Sequence, residues 1–310
     1  MMDSSKPLGA TKQYRGVVVP MVTPVTPQGK IDEPAVRRVI DHIMAGGVSG
    51  IFVLGTTGEA ASVPRTERSR LVAITVEHVG GRVTTYAGIG DNCLAHSVEA
   101  AEEYFRLGID VVVAHLPSYY ALTPEEQRDY YTAAARRISG PLMLYNIPRT
   151  THMSIPLDVV ERLSREPRIV GLKDSENDPA RLSAVVEMLG GRADFSVFVG
   201  VAALSARALR LGADGTVPSC GNLVPGLCQS LYESSLRGDA ASAEKYQRKM
   251  DQVGRIYGRG QSLGQSLAVL KATMGALGLC GPYVLSPLHT LGVAQHEKAR
   301  PEFMDWQAQN

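Results

Sequence analysis

The 310-residue sequence lacks the marks of several protein classes. Its four cysteines are widely spaced and form no C-x-x-C pair, so neither a zinc ribbon nor a disulfide framework is indicated. No apolar run approaches the roughly 18 residues of a membrane-spanning helix. Residues 1–14 also lack the apolar core of a signal peptide. We therefore expect a cytoplasmic protein that does not enter a membrane.

An excess of one charge is also missing. Lysine and arginine total 32 and aspartate and glutamate 31, which gives a formal net charge of +1. Nucleic-acid binding requires a basic surface, so we expect no nucleic-acid partner. The seven histidines include no i, i+4 pair, so we predict no metal site. A hydrophobic fraction of 44% is nevertheless ample for a large buried core.

What is present is a regular alternation of two kinds of segment. Eight short apolar runs, each bounded by glycine, proline or aspartate, are followed by longer stretches with helical spacing. These runs lack polar alternation, which is typical of parallel strands buried on both faces. Helix-start signals lie between them at Asp32, Pro64, Thr123 and Asp178. The predicted strands are 16–24, 50–54, 84–89, 110–115, 141–146, 169–173, 195–200 and 215–218.

Eight such units predict a (β/α)8 TIM barrel over residues 15–222. A doubly wound open sheet is the alternative, but its first strand is normally followed by a glycine-rich turn, and residues 23–27 read Thr-Pro-Val-Thr-Pro. Residues 223–310 are rich in alanine, leucine, glutamine and arginine with helical spacing, and predict a helical extension packed on the barrel. Residues 1–14 are expected to form a loose tail.

In such a barrel the reacting groups lie at the carboxyl ends of the strands. Lys173 lies on strand 6 beside apolar residues, where desolvation favours the neutral amine. A neutral amine can condense with a carbonyl to give an imine that serves as an electron sink. On this strand alone, pairing with Asp174 or Glu176 is the commoner role for such a lysine. Tyr145, at the end of strand 5, is equally well explained alone as an amphipathic cap.

The turn after strand 2 reads Gly55-Thr56-Thr57-Gly58-Glu59. Its two hydroxyls and closely spaced N–H groups suit a carboxylate or a phosphate. Without further context, such a sequence is more often an ordinary loop than a binding site. His115, at the end of strand 4, is in a position to face the same pocket, although a plain polar position is again the commoner role.

Taken together, four motifs resemble the dihydrodipicolinate synthase/N-acetylneuraminate lyase family of class I aldolases and lyases. Their order, their strand placement and the 28-residue interval between Tyr145 and Lys173 agree with that family. The resemblance extends from about Arg15 to Pro225. The motifs are the 55–59 turn, Tyr119-Tyr120 after a proline, Tyr145-Asn146-Ile147-Pro148 and Gly171-Leu172-Lys173-Asp174.

The resemblance implies that Lys173 forms a Schiff base with pyruvate or another 2-oxo acid and needs no separate cofactor. It assigns Tyr145 a general acid–base role, with Thr57 passing the proton onward. Thr56 and the turn at Gly55 would hold the substrate carboxylate.

The resemblance also implies a homo-oligomer. Family members often complete the proton relay with a tyrosine from a neighbouring subunit, and Tyr119 or Tyr120 matches that position. We assign Tyr119 to the relay and Tyr120 to substrate binding, and we expect a dimer or a tetramer.

One departure from the family pattern concerns the second substrate, for which an aldehyde is a candidate. Dihydrodipicolinate synthases usually carry an arginine, after Tyr-Asn-Val-Pro-x, that binds the carboxylate of the incoming aldehyde. The ungapped alignment, which we prefer, places Thr150 there, whereas a one-residue deletion would place Arg149 there. Thr150 is therefore a predicted substrate contact, and Ser219, after strand 8, is another.

We therefore predict a Schiff-base-forming lyase acting on pyruvate or a related 2-oxo acid, by aldol cleavage or condensation or by dehydration of a 2-oxo-3-deoxy acid. One alternative is the 4-hydroxy-tetrahydrodipicolinate synthase of lysine biosynthesis. A second is a non-catalytic ligand-binding barrel, which would have no need of both Lys173 and Tyr145.

Overall fold

The computed structural model of the chain describes residues 12–258 and 261–309. Eight parallel strands form a closed barrel, each paired with its sequence neighbour and β8 paired with β1. This confirms the predicted TIM barrel and excludes the open sheet. The strands are β1 (Gly16–Pro20), β2 (Gly50–Val53), β3 (Thr84–Gly88), β4 (Val111–His115), β5 (Leu142–Asn146), β6 (Ile169–Asp174), β7 (Ser196–Val199) and β8 (Gly215–Thr216).

The helices begin where the sequence predicts. Asp32 accepts a hydrogen bond from the Ala35 N–H, and Asp178 caps its helix in the same way. Thr123 forms a reciprocal capping box with Glu126. Each such cap contributes about 1 kcal/mol. The helices around the barrel are α1 (Glu33–Ala45), α2 (Arg65–Val79), α3 (Leu94–Leu107), α4 (Pro124–Arg137), the short α5 (Pro148–Thr151), α6 (Leu157–Leu163), α7 (Pro179–Leu189) and α8 (Ser205–Leu211).

The predicted C-terminal helical extension is present. It comprises α9 (Pro225–Leu236), α10 (Ala240–Gly258), α11 (Leu263–Ala276) and α12 (Val293–Gln309). Helix α9 packs against β1 and α1, and α10 packs against α8 and α9. No helix among the described residues is long and apolar enough to cross a membrane.

The predicted N-terminal tail falls largely on residues 1–11, which lie outside the described residues. Just after them, the Lys12 ammonium forms an ion pair with Asp214 at 2.8 Å. Tyr14 is buried with the side chains that fill the barrel.

The strand register determines which side chains meet inside the barrel. Alternate residues of a strand point to opposite faces of the sheet. His115 is paired with Tyr145 across β4 and β5, and Tyr145 with Lys173 across β5 and β6. The three side chains therefore form one row at the carboxyl end of the barrel, above an apolar filling that includes Phe52 and Phe198.

Candidate active site

The Lys173 side chain is buried inside the barrel, with only 4% of its surface exposed. Its amine lies 3.7 Å from the centroid of the Tyr145 ring and 4.9 Å from that of Phe52. An ammonium in this position is attracted by the aromatic faces. Gly200 leaves room for the chain, since a Cβ there would lie 3.2 Å from the Lys173 Cε and 1.9 Å from the Ser175 Oγ.

The Tyr145 hydroxyl connects the lysine to the turn after β2. It lies 3.3 Å from the Thr56 Oγ1, a distance at which either hydroxyl can donate. Burial alone would raise the pKa of Tyr145. The charge of Lys173 and hydrogen bonds with Lys173, Thr56 and Ser175 outweigh burial, so the pKa lies below its ordinary value. A phenol with a lowered pKa exchanges protons more readily near neutral pH.

A cavity of about 510 Å³ opens above these groups. This volume is typical of a small-molecule site. Its lining includes Gly55, Thr56, Tyr145 and Thr150, and its outer wall is formed by residues of α11 and by Pro287 and Leu288. Lys173 lines a smaller space of about 10 Å³ that shares Phe52 and Val113 with the cavity. Lys173 therefore lines the smaller space, whereas Tyr145, against whose ring its amine lies, lines the cavity.

A family model described as the dihydrodipicolinate synthetase family matches residues 13–305. The chain belongs to this family. Members of the dihydrodipicolinate synthetase family are class I lyases and synthases that form a Schiff base with a lysine, and the chain is an enzyme of this class. The function predicted from the sequence, a Schiff-base-forming lyase of this family, is therefore confirmed.

Relatives within the dihydrodipicolinate synthetase family differ in the reactions they are named for. The chain is 30% identical over 280 residues to YjhH of Escherichia coli K12, a probable 2-dehydro-3-deoxy-D-pentonate aldolase, with 89% of this chain and 92% of the relative covered. The dihydrodipicolinate synthase of Bacteroides thetaiotaomicron superposes with a TM-score of 0.90 at 30% identity, over 96% of this chain and 100% of that one.

YagE, a prophage protein of E. coli K12 whose structure was solved in complex with pyruvate, superposes with a TM-score of 0.89 at 25% identity. The superposition covers 95% of this chain and 99% of the YagE chain.

Other predicted site residues lie outside the cavity lining. Thr57 is half-buried on the same turn as Thr56. Tyr119 and Tyr120 are 77% and 71% exposed and pack edge to face, with ring centroids 4.9 Å apart. The Ser219 hydroxyl lies 2.8 Å from the hydroxyl of Tyr257 on α10. Their functional roles remain predictions.

The residues that follow the proline of the Tyr-Asn-Ile-Pro motif differ in placement. Thr150 lines the cavity, whereas Arg149 is exposed and does not. Which of the two residues takes the position of the family's carboxylate-binding arginine remains a prediction.

A buried ion pair behind the 55–59 turn was missed from the sequence. Glu59 and Lys271 on α11 are both fully buried, and the amine lies 2.7 Å from the Glu59 Oε1. The amine also donates to the Thr23 carbonyl at 2.9 Å, and the second Glu59 oxygen accepts from the Leu285 N–H at 2.6 Å. The C-terminal extension thereby holds the turn that carries Thr56. The sequence feature that could have indicated a buried, paired lysine is the position of Lys271 between Leu270 and Ala272 in an apolar helix.

A second polar network was also missed, although two of its members, Asn146 and Asp174, directly follow Tyr145 and Lys173. The Asn146 amide donates to both Asp174 oxygens at 3.2 Å, and the Arg181 Nε lies 2.8 Å from the same carboxylate. Burial raises the pKa of Asp174, and the charge of Arg181 offsets this only in part. Because the network joins the ends of β5 and β6, it holds the strand ends that carry Tyr145 and Lys173.

Proposed function

We propose that Lys173 forms the Schiff base, with pyruvate or a related 2-oxo acid as donor substrate, and that Tyr145 moves the protons. The observation that supports this most directly is the position of the Lys173 amine, 3.7 Å from the Tyr145 ring centroid beneath a cavity of about 510 Å³. The pyruvate bound to YagE supports the choice of donor. The imine itself is the electron sink, so no cofactor is required.

The chemistry follows from these positions. The neutral Lys173 amine attacks C2 of the 2-oxo acid, and Tyr145 donates a proton to the departing water. Loss of a C3 proton from the imine then gives an enamine, whose C3 attacks an aldehyde. Thr56 and the N–H groups at Gly55 hold the carboxylate, and Thr57 relays the proton. Dehydration of a 2-oxo-3-deoxy acid would use the same imine.

We also propose that the enzyme is a cytoplasmic homo-oligomer, either a dimer or a tetramer. Tyr119 and Tyr120 support this, because two adjacent exposed tyrosines are typical of a protein interface. In the oligomer, Tyr119 would complete the proton relay of a neighbouring subunit and Tyr120 would contact its substrate. Thr150 is a proposed contact for the second substrate, and Ser219, which follows β8, is another proposed substrate contact.

The test of this function is the capture of the imine. Incubation of the whole chain with pyruvate and borohydride should increase its mass by one reduced pyruvate per chain, because hydride reduces the C=N bond to a stable secondary amine. Peptide mapping should place the adduct on Lys173. An unmodified chain that remains folded, or an adduct on another lysine, would contradict the proposal.

The second substrate is expected to be uncharged. Among the described residues that line the cavity, Glu59 is the only Asp, Glu, Lys or Arg, and its carboxylate is already paired with Lys271. A carboxylate on the aldehyde would enter the cavity without a cationic partner, and leaving a charged group unpaired costs free energy. This disfavours the lysine-pathway synthase, whose dicarboxylate product indicates a charged aldehyde.

Butanal and succinic semialdehyde test this expectation. Both are four-carbon aldehydes, and they differ only in that butanal ends in a methyl group and succinic semialdehyde in a carboxylate. We expect kcat/KM for condensation with pyruvate to favour butanal by about tenfold or more, the equivalent of 1.4 kcal/mol. The matched variant Thr150→Arg places a cation at the cavity wall and should reverse the preference. Equal or better use of succinic semialdehyde by the unaltered chain would argue for the synthase.

A further inference from the structure

His115 stands in the same row as the two residues assigned to imine chemistry. The register places Tyr145 between His115 on β4 and Lys173 on β6, with all three side chains inside the barrel. The His115 ring meets the Tyr145 ring edge to face, with centroids 6.4 Å apart. His115 lines the 510 Å³ cavity. A titratable ring is therefore available on the side of Tyr145 that is away from the lysine.

Only one nitrogen of this imidazole is engaged. Nδ1 lies 2.7 Å from the Leu116 carbonyl oxygen, which can only accept, so Nδ1 carries the hydrogen. Burial lowers the pKa of His115; the charge of Lys173 also lowers it, and the Leu116 carbonyl and Asp91 offset this only in part. The ring is therefore neutral near pH 7. Nε2 then carries a lone pair, and no described residue donates a hydrogen bond to it.

Gly90, in the loop after β3, packs closely against the His115 ring. A Cβ at Gly90 would lie 2.2 Å from Nε2 of His115, and the three atoms nearest to it would all belong to this imidazole. Gly90 lines the same cavity. A side chain at this position would displace the ring, whereas glycine lets the imidazole keep the position in which it lines the cavity.

We infer that His115 is a catalytic acid–base residue for the aldehyde half of the reaction, an inference that rests on the function proposed above. In the cleavage direction, Nε2 takes the proton of the C4 hydroxyl and the O–H electron pair becomes the second bond of the C4 carbonyl. The C3–C4 bond breaks, its electron pair forms the C2–C3 double bond of the enamine, and the imine π pair moves to the Lys173 nitrogen. In condensation the imidazolium returns its proton to the aldehyde oxygen.

This assignment divides the proton transfers between two residues. The Tyr145 hydroxyl, which contacts Thr56 and the lysine amine, serves C2 and C3 of the donor. His115 transfers a proton only to and from the oxygen at C4. Chemistry on pyruvate alone therefore needs Tyr145 and not His115, whereas formation or cleavage of the C3–C4 bond needs both.

The two half-reactions can be measured separately. Exchange of the pyruvate methyl protons for deuterium, followed by NMR, reports imine and enamine formation. Condensation of pyruvate with butanal, or with glycolaldehyde, the two-carbon aldehyde that remains when a 2-oxo-3-deoxypentonate loses pyruvate, reports the C–C step. We expect His115→Gln to slow condensation by about 10²- to 10³-fold while methyl exchange stays within about twofold of the unaltered chain. Tyr145→Phe should lose both activities.

A second variant probes His115 without replacing it. Gly90 is not in the left-handed region, so Gly90→Ala is acceptable to the backbone and its close contacts are with the imidazole. In the otherwise unaltered chain, Gly90→Ala should slow condensation by about tenfold or more. In a His115→Ala background the same change should have almost no effect, because the ring that it obstructs is absent.

The outcomes are distinguishable. A His115→Gln variant that condenses either aldehyde at the rate of the unaltered chain overturns the inference and leaves the proposed function intact. An unaltered chain that exchanges the methyl protons but condenses neither aldehyde also overturns it, since Nε2 would then have no oxygen to serve. If the unaltered chain neither exchanges these protons nor forms the borohydride adduct, the proposed function itself fails. Methyl exchange by the His115 and Gly90 variants also shows that these variants are folded.

Discussion

Replacement of Lys173 by methionine is expected to abolish both the exchange of the pyruvate methyl protons and the condensation of pyruvate with aldehydes. Methionine is a long unbranched side chain that lacks the amine needed for the imine. Without the imine, C3 of the donor has no electron sink, and we expect a loss of at least roughly 10³-fold in kcat. NMR of pyruvate in deuterated buffer measures the first activity, and aldehyde consumption measures the second.

The fold should survive this replacement. The Lys173 amine is surrounded by the rings of Phe52 and Tyr145, and a thioether packs well against aromatic rings. The lost cation–π attraction, about 0.5–2 kcal/mol, is offset because a charged group no longer has to be desolvated. The thermal midpoint of Lys173→Met should therefore lie close to that of the unaltered chain.

The matched control is Lys173→Arg. Arginine keeps a cation near the Tyr145 ring, but its guanidinium stays protonated and cannot become the imine nitrogen. If Lys173 acts only as a charge that lowers the pKa of Tyr145, the arginine variant should keep most of its activity. If Lys173 is the nucleophile, both variants should be equally inactive. Retention of more than about a hundredth of the activity by Lys173→Arg would contradict the assignment.

Replacement of Lys271 by methionine is expected to destabilise the protein more than any surface change. Lys271 and Glu59 are both fully buried, so the variant would leave the Glu59 carboxylate inside the protein without its cation. Breaking a buried pair from one side typically costs about 3–5 kcal/mol. Urea unfolding of the full chain should show a lower midpoint with an unchanged slope. Because Glu59 belongs to the turn of Thr56, KM for pyruvate should also rise.

A double variant distinguishes the contribution of the ion pair to stability from the contribution of packing. Glu59→Gln keeps an oxygen that can accept from the Leu285 N–H but removes the charge. The combination with Lys271→Met should therefore be more stable than Lys271→Met alone, because no unpaired charge stays buried. A Lys271→Met protein whose free energy of unfolding lies within about 0.5 kcal/mol of that of the unaltered chain would show that the pair contributes nothing.

The barrel and the central pair of the candidate site could be predicted from local patterns. Runs of buried strand residues, and caps such as Asp32 and Thr123, depend on residues near one another in the chain and are therefore visible in the sequence. Lys173 and Tyr145 were noticed in the same way, as polar groups at the ends of apolar strands, but their roles were assigned through the resemblance to a known family. Parallel strands in register then bring such ends together whatever the details of packing.

The surroundings of that pair could not be predicted, since they depend on contacts between distant segments. Lys271 reaches Glu59 across 212 residues, and the Asn146 amide reaches Asp174 across 28. No local sequence pattern indicates which buried charged residues form ion pairs, because these pairs form only when the helices pack on the barrel. The exposure of Tyr119 was likewise invisible, since a tyrosine after a strand can face inward or outward.

The sequence by itself determined the barrel, the family and the presence of an amine and a phenol suited to imine chemistry, because these follow from periodicity and motif order. Only the tertiary structure decided that Thr150 lines the cavity while Arg149 does not, that Lys271 holds the 55–59 turn, and that Gly90 makes room for the His115 ring. The physical reason is that the segments packed around a polar group determine how deeply it is buried. Burial in turn determines whether the group is protonated and which atoms it can contact.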